Sequence, residues 1–361
     1  MNYRKRELAF CIFFLLVLGG LLGSSLIRED RLYSPWEKRM LAQKPKADLA
    51  AILDGSYETA CETWLTDQFP ARDWWVSVKT RCEIMLGKKE IGGVYLGKDG
   101  YLFADQKETA DWDRLEVRMV EQFGAKQVSR IHVPSAGAVL PEKLPYGICF
   151  PAKKDAVWEN LRRHREEYIY YRTDHHWTML GAYYAYETWA KEQGLTPVPL
   201  EELKRETIKE DFLGTHYGKL HDAAKPDFME FFDPGTDSQV VYDLGSSDLT
   251  QLYQPQYLES EDAYRFFLDG NHPVVQIETG QKSGHIVILK DSFANCFVPY
   301  LTLHYGRITV IDPRHFRMDV GEWLSGQEVD KVLILAQDTV TAKMGTSESG
   351  IQSVAGGSRK N

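Results

Sequence analysis

Cysteine is scarce in this chain. Five occur in 361 residues, with no CxxC pair and no Cys/His zinc spacing, which argues against both a disulfide scaffold and a zinc module. A surplus of positive charge is missing too: 43 Lys and Arg stand against 52 Asp and Glu, for a formal charge of −9. A general nucleic-acid binder needs a basic face for phosphates, so that class is set aside. There is no GxSxG elbow of the ordinary α/β-hydrolases, no internal repeat and no second long apolar run. What is abundant is core material. Apolar residues make up 43% and aromatics 12%, which excludes a disordered or low-complexity chain.

The apolar residues are unevenly spread. Leu8 to Ile27 carries no charge, and at about 1.5 Å per residue such a helix spans the ~30 Å of a bilayer core. Arg4, Lys5 and Arg6 precede it, which predicts a cytoplasmic N-terminus and an exported remainder. The expectation is a single-pass signal-anchor in the cell membrane. A cleaved signal peptide is the competing reading, since Gly23, Ser24 and Ser25 are small enough for cleavage. Residues 1–27 are thus read as stub and anchor, 28–90 as linker and helical preface, 91–342 as the main domain, and 343–361 as a disordered tail. Cys61 and Cys82 could pair in an exported protein or remain free thiols.

Periodicity predicts two helices between Asp48 and Leu86, interrupted at Pro70, and a β-hairpin over Gly92–Phe103 turning at Asp99-Gly100. Further on, strands at 128–133, 168–171, 285–289, 307–311 and 331–335 alternate with helices at 153–167, 177–193 and 294–305. Alternation of this kind means parallel strands with crossover helices, an α/β layered fold. Pro197 to Gln281 has weaker periodicity and reads as loops, a small hairpin or a lid.

Two segments concentrate reactive side chains. In YYRTDHHWT (170–178), an extended backbone would place Asp174 and His176 on one side and His175 on the other. A carboxylate on one ring nitrogen fixes the tautomer and leaves the other as a base. In HIVILKDSFANCFVPYL (285–301), a β-branched strand runs into Asp291-Ser292, where open α/β sheets place their sites. Both junctions also suit ordinary helix caps. Together, Ser292, His176 and Asp174 supply nucleophile, base and orienting acid; His315, close after a strand end, is a reserve base. A metal held by Asp174, His175, His176 and Asp291 or Asp312 is the rival, but adjacent histidines normally face apart and no HxH or HxxxH spacing helps. No metal and no cofactor are expected.

These segments resemble a known family. Asp174-His175-His176-Trp177 looks like the signature of the bacterial DHHW proteins, similar to alginate O-acetylation proteins of the AlgJ/AlgX type. Trp64-Leu65-Thr66-Asp67-Gln68-Phe69-Pro70, Val94 to Phe103, Phe212-Leu213-Gly214-Thr215 and Asp291-Ser292-Phe293-Ala294 support the match in the expected order. The resemblance implies an SGNH-hydrolase-like three-layer α/β/α domain with a parallel sheet, behind one transmembrane helix. It implies an O-acetyltransferase acting on an exported or cell-wall-associated polysaccharide. Ser292, His176 and Asp174 would be catalytic, and a membrane-bound O-acyltransferase would supply acetyl groups. Asn295, Gly214 and Thr215 are candidate oxyanion donors beside the Ser292 amide. Arg314, His175 and Trp177 are candidate substrate-binding residues, although Arg314 could simply pair with Asp312. A carbohydrate esterase with the same residues and a noncatalytic polysaccharide-binding protein are the alternatives.

Overall fold

β-Branched runs build the centre of the fold. A computed structural model describes residues 3–34, 36–37, 39–105, 110–221, 223–281, 284–338 and 343–344. Its central sheet has six strands: β1 (Val128–Val133), β2 (Ser238–Tyr242), β3 (Val274–Thr279), β4 (His285–Lys290), β5 (Arg307–Ile311) and β6 (Lys331–Gln337). Their order across the sheet is β2-β3-β5-β4-β6-β1. β5, β4, β6 and β1 run parallel, while β3 and β2 extend the sheet antiparallel. The fold is therefore mixed α/β with a mainly parallel sheet. The expectation of an all-parallel sheet is corrected at the β2-β3 edge, which comes from the stretch read as loops or a lid. That stretch also holds an antiparallel pair, Lys204–Phe212 with Asp227–Asp233.

Strand alternation divides the core. Ile286, Ile288, Leu333 and Leu335 face one side, with Trp177, Met179 and Trp189. Val287, Leu289, Val332 and Ile334 face the other, with Trp112 and Met119. Both sides are dry, so β4 and β6 read as continuous apolar runs rather than alternating ones. Helices supply the covering side chains: α4 (Trp112–Phe123), α5 (Ala156–Arg163) and α6 (Met179–Glu192), numbered after the three N-terminal helices of more than ten residues. Asp155 caps α5 by accepting from Trp158 N, and Thr178 caps α6 by accepting from Gly181 N. Gly194, at φ +74°, ends α6 in the left-handed conformation. The short strand expected at 168–171 is only a bridge between Tyr170 and Trp177. The hairpin turns at Asp99 and Gly100, both at positive φ, and gains a third strand at Glu90–Ile91.

The chain divides into two units. Met1–Lys88 with Gly218–Asp222 form one, and Lys89–Tyr217 with Ala223–Asn361 the other. The first contains α1 (Tyr3–Ile27), α2 (Ser56–Asp67) and α3 (Arg72–Met85). α1 is long and apolar enough over Lys5–Ser25 to cross a membrane, a property a signal sequence shares. Within this unit Asp67 accepts from both terminal nitrogens of Arg39, at 2.8 and 2.6 Å, and the guanidinium holds its carboxyl down to about 2. Cys61 and Cys82 are not joined. In the tail, where disorder is expected from 343, Lys343–Met344 pairs antiparallel with Ile148–Cys149; residues 345–361 lie outside the described residues.

Candidate active site

Ser292 stands where β4 ends. Asp291 accepts from Phe293 N at 2.9 Å and from Gln337 N at 2.7 Å, so it caps the turn and ties it to β6. Burial pushes its carboxyl above the ordinary range. The expected helix over 294–305 is not continuous. A 3₁₀ turn, Ser292–Cys296, leads to a short helix, Val298–Leu301, because Pro299 has no amide to continue a ladder and fits only a first helical turn.

The second segment hangs on a residue with no motif. Asp227 is fully buried and accepts from Thr173 N at 2.7 Å, Thr173 Oγ1 at 2.6 Å, Arg172 N at 3.1 Å and Tyr168 Oη at 2.5 Å. This holds the backbone just before Asp174. Asp174 in turn accepts from His176 Nδ1 at 2.5 Å and His176 N at 2.9 Å on one oxygen, and from Thr215 N at 2.8 Å on the other. His176 Nε2 lies 2.8 Å from Ser292 Oγ. A continuous Asp-His-Ser chain results, buried at Asp174 and His176 and part-exposed at Ser292.

The imidazole of His176 is held on both faces. Tyr264 stacks at 4.0 Å and 12°, and His175 lies at 3.8 Å and 37°. His175 therefore does not point away as expected. Residues 172–176 are bends rather than strand, so period-2 alternation fails there, and His175 Nδ1 meets Thr215 Oγ1 at 2.8 Å. Tyr264 Oη reaches Ser292 O and Cys296 Sγ, both at 3.3 Å; burial keeps its phenol protonated far above the usual range. Nothing in the sequence marks Tyr264 or Asp227, whose partners are distant along the chain.

Other candidates find different places. The Gly214 amide donates to Thr173 Oγ1 at 3.0 Å and the Thr215 amide to Asp174, so neither is free for an oxyanion. They brace the acid instead. Trp177 is fully buried and donates from Nε1 to Phe293 O at 2.9 Å; it ties the two segments together and is no platform for a sugar. Arg314 forks onto buried Asp312 at 2.8 and 2.5 Å, the pairing already considered for it. His315 is exposed, with no side-chain contact to Ser292. Asn295 is buried; its Oδ1 accepts from Lys290 Nζ at 2.6 Å, while its Nδ2 has no partner among the described residues. Asp174, His175 and His176 offer ligand atoms within 4.8 Å of one another. A metal would have to displace the bonds to Asp174, and Asp291 and Asp312 are committed to backbone amides and Arg314.

Two predictions arise here. A Cβ on Gly214 would lie 2.2 Å from Asp174 Cβ and 2.6 Å from its Cα, so backbone would have to move. Gly214→Ala is expected to lower unfolding free energy by about 1–3 kcal/mol, read from denaturant midpoints, and to remove activity with it. Lys290 is buried between Asn271 Oδ1 at 2.7 Å and Asn295, and burial pulls its ammonium from 10.5 to about 8. Between those values the unfolded chain holds the proton and the folded one has released it, so stability rises with pH in that window. Relative to Lys290→Met, the wild-type chain should gain up to about 3 kcal/mol from pH 8 to 10.5; a flat difference would show that Lys290 keeps its ordinary affinity.

A serine, a histidine and an aspartate stand in one hydrogen-bonded chain at the carboxyl end of a mainly parallel sheet, the geometry that serine-nucleophile sites share. Residues 151–311 match the DHHW protein family, and this stretch holds Asp174, His176 and Ser292. A DHHW family protein from Eubacterium siraeum DSM 15702 is similar in structure, 26% identical over 69% of this chain and 91% of that one, with a TM-score of 0.57. Bacillus cereus PatB1 with a sulfonyl adduct shares the fold at 17% identity over 68% and 96%, with a TM-score of 0.53. The O-acetyltransferase domain of Pseudomonas putida AlgJ aligns over 68% and 90% at 15% identity and a TM-score of 0.39, a likeness too slight to bear on function. Curated protein sequences yield no match.

Proposed function

We propose that this chain is a membrane-anchored, extracytoplasmic O-acetyltransferase of SGNH-hydrolase-like architecture, acting on an exported polysaccharide through an acetyl-serine intermediate. The observation that carries the reading is the Asp174–His176–Ser292 chain, with bonds of 2.5 and 2.8 Å. His176 Nε2 takes the Ser292 proton as Oγ attacks the acetyl carbonyl. The leaving group then departs with that proton and leaves acetyl-Ser292. A sugar hydroxyl, deprotonated by the same nitrogen, attacks the ester and releases Ser292. Asp174 holds the imidazolium, and the Tyr264 face supports its charge. The Ser292 amide, at the start of the 3₁₀ turn, is the oxyanion donor in this reading, with the Asn295 carboxamide nearest in sequence as its partner.

α1 would keep the domain at the membrane, where a membrane-bound O-acyltransferase would deliver acetyl groups; cytoplasmic acetyl-CoA cannot reach an exported site. No bound cofactor is required. The test is direct. Incubation with a p-nitrophenyl acetate donor should give a burst of nitrophenol, a Ser292 peptide heavier by one acetyl group, and faster turnover when oligosaccharide is added. Turnover indifferent to sugar would make the protein an esterase with water as acceptor, and an unmodified Ser292 would remove the enzymatic reading.

A further inference from the structure

The polarity of α3 (Arg72–Met85) is inside out. A helix on the surface of a soluble protein turns its apolar stripe to the core and its polar side chains to water. In α3 polar side chains make the bonds to the rest of the unit. Thr80 is 1% exposed and donates to Leu220 O at 2.5 Å. Asp73 accepts from Arg31 Nη1 at 3.0 Å, and Arg72 pairs with Glu37.

The face opposite Thr80 is apolar and open. Trp74 is 57% exposed, Trp75 44%, Met85 80%, and Leu86, just after the helix, 79%. At 3.6 residues per turn these four fall within a sector of about 120°, with half-buried Val78 and exposed Cys82 between them. The rings of Trp74 and Trp75 meet at 4.6 Å. Exposed Lys79 and Arg81 stand at the two edges of the sector. Single apolar side chains on a surface are ordinary, but a continuous stripe along one helix marks a contact.

The chain itself brings this helix to the membrane. Asp30 and Arg31 lie three and four residues beyond Ile27, the end of α1. Asp30 accepts from Trp64 Nε1 at 2.8 Å. Arg31 N donates to Gln68 Oε1 and Arg31 O accepts from Gln68 Nε2, both at 2.9 Å. Four extended residues span at most about 14 Å, so the turn between α2 and α3 is held close to where α1 leaves the hydrocarbon. Ser25, Arg28, Phe69 and Trp74 line one cleft, which sets Trp74 beside the last turn of α1. Tryptophan favours the headgroup level of a bilayer, and Lys and Arg lay their stems on the apolar layer while their charges reach phosphate. Cations at both edges of the stripe favour a lipid surface over a protein partner.

We propose that α3 lies on the extracytoplasmic face of the bilayer as an interfacial helix, with Trp74, Trp75, Met85 and Leu86 at the boundary of headgroups and acyl chains and Lys79 and Arg81 against lipid phosphates. The inference rests on the reading of α1 as an anchor and adds a second contact. This unit then meets the membrane at two places and does not swing on a single tether.

The experiment uses the full chain reconstituted in vesicles of phosphatidylcholine and phosphatidylglycerol, with part of the lipid brominated either near the headgroup or near the chain end. α1 contains no tryptophan, so bromine quenching reports on the exported part. Trp74 and Trp75 are two of nine tryptophans, so bromine near the headgroup should remove up to about a fifth of the emission, and bromine near the chain end less. Trp74→Phe with Trp75→Phe keeps the face apolar and should abolish that loss. Met85→Glu with Leu86→Glu alters side chains that are already exposed, so the thermal midpoint in detergent should hold within a few degrees while the quenching falls at least about twofold. Chains that float with the vesicles yet quench no more than the double Phe variant would overturn the interfacial seat, give the stripe to a protein partner and leave the anchor intact. Quenching untouched by the two glutamates would overturn it as well. Chains that do not float with the vesicles would remove the anchor and this inference together.

Discussion

Ser292→Ala is expected to lower acetyl transfer on the order of 10⁶-fold, the loss that follows removal of the nucleophile from such a chain. The residual rate would come from binding alone. Ser292 is part-exposed and, among the described residues, its side chain bonds only His176, so the substitution should leave the fold intact and the thermal midpoint within a few degrees. Phenylmethanesulfonyl fluoride should label wild-type Ser292, Oγ displacing fluoride while the proton passes to His176. The same reagent should leave the alanine variant unmodified, as read by mass spectrometry. Undiminished transfer by the variant would mean that another residue, or none, carries the reaction.

Asp174→Asn is expected to cost on the order of 10⁴-fold in kcat. Asp174 accepts from His176 N and Nδ1 on Oδ1 and from Thr215 N on Oδ2, so both oxygens face N–H donors. A carboxamide can offer an oxygen to one side only. If its oxygen stays with Thr215, its NH₂ faces His176 Nδ1, which must then accept, and the proton moves to Nε2 where the base is needed. If its oxygen turns to His176, the Thr215 amide loses its partner and the loop loosens. Either arrangement strands one backbone amide, that of His176 in the first and that of Thr215 in the second, so both lower the unfolding free energy by about 1–3 kcal/mol; only the first also moves the tautomer and carries the full loss in kcat. A kcat within tenfold of wild type would show that the acid is dispensable.

The residues of the Asp-His-Ser chain were legible because each belongs to a short local pattern. Asp174 and His176 are two positions apart, and Ser292 follows a run of β-branched residues that could only be a buried strand. Their supports were not legible. Tyr264 lies in a stretch without clear periodicity, yet it stacks on His176. Asp227 is one acid among many in the sequence, and only burial against Thr173 and Tyr168 distinguishes it. Alternation along an extended backbone puts His175 opposite His176, whereas the loop bends and brings the two rings together. β2 and β3 leave little trace in the sequence, since short strands at an antiparallel edge carry little pattern of their own.

Local order in the chain determined the apolar N-terminal helix, the alternation of strands and helices, and the three reactive residues, because those depend on neighbours a few positions apart. Tertiary structure decided what each residue near Ser292 is for. It gave the Gly214 and Thr215 amides to the acid's loop, Arg314 to Asp312 and Trp177 to the Phe293 carbonyl. It also left Ser135 Oγ and Gln337 Nε2 buried without a hydrogen-bond partner among the described residues. Hydrogen-bond donors and acceptors are common in any sequence; which of them remain available to a substrate is settled only when the fold has used the rest.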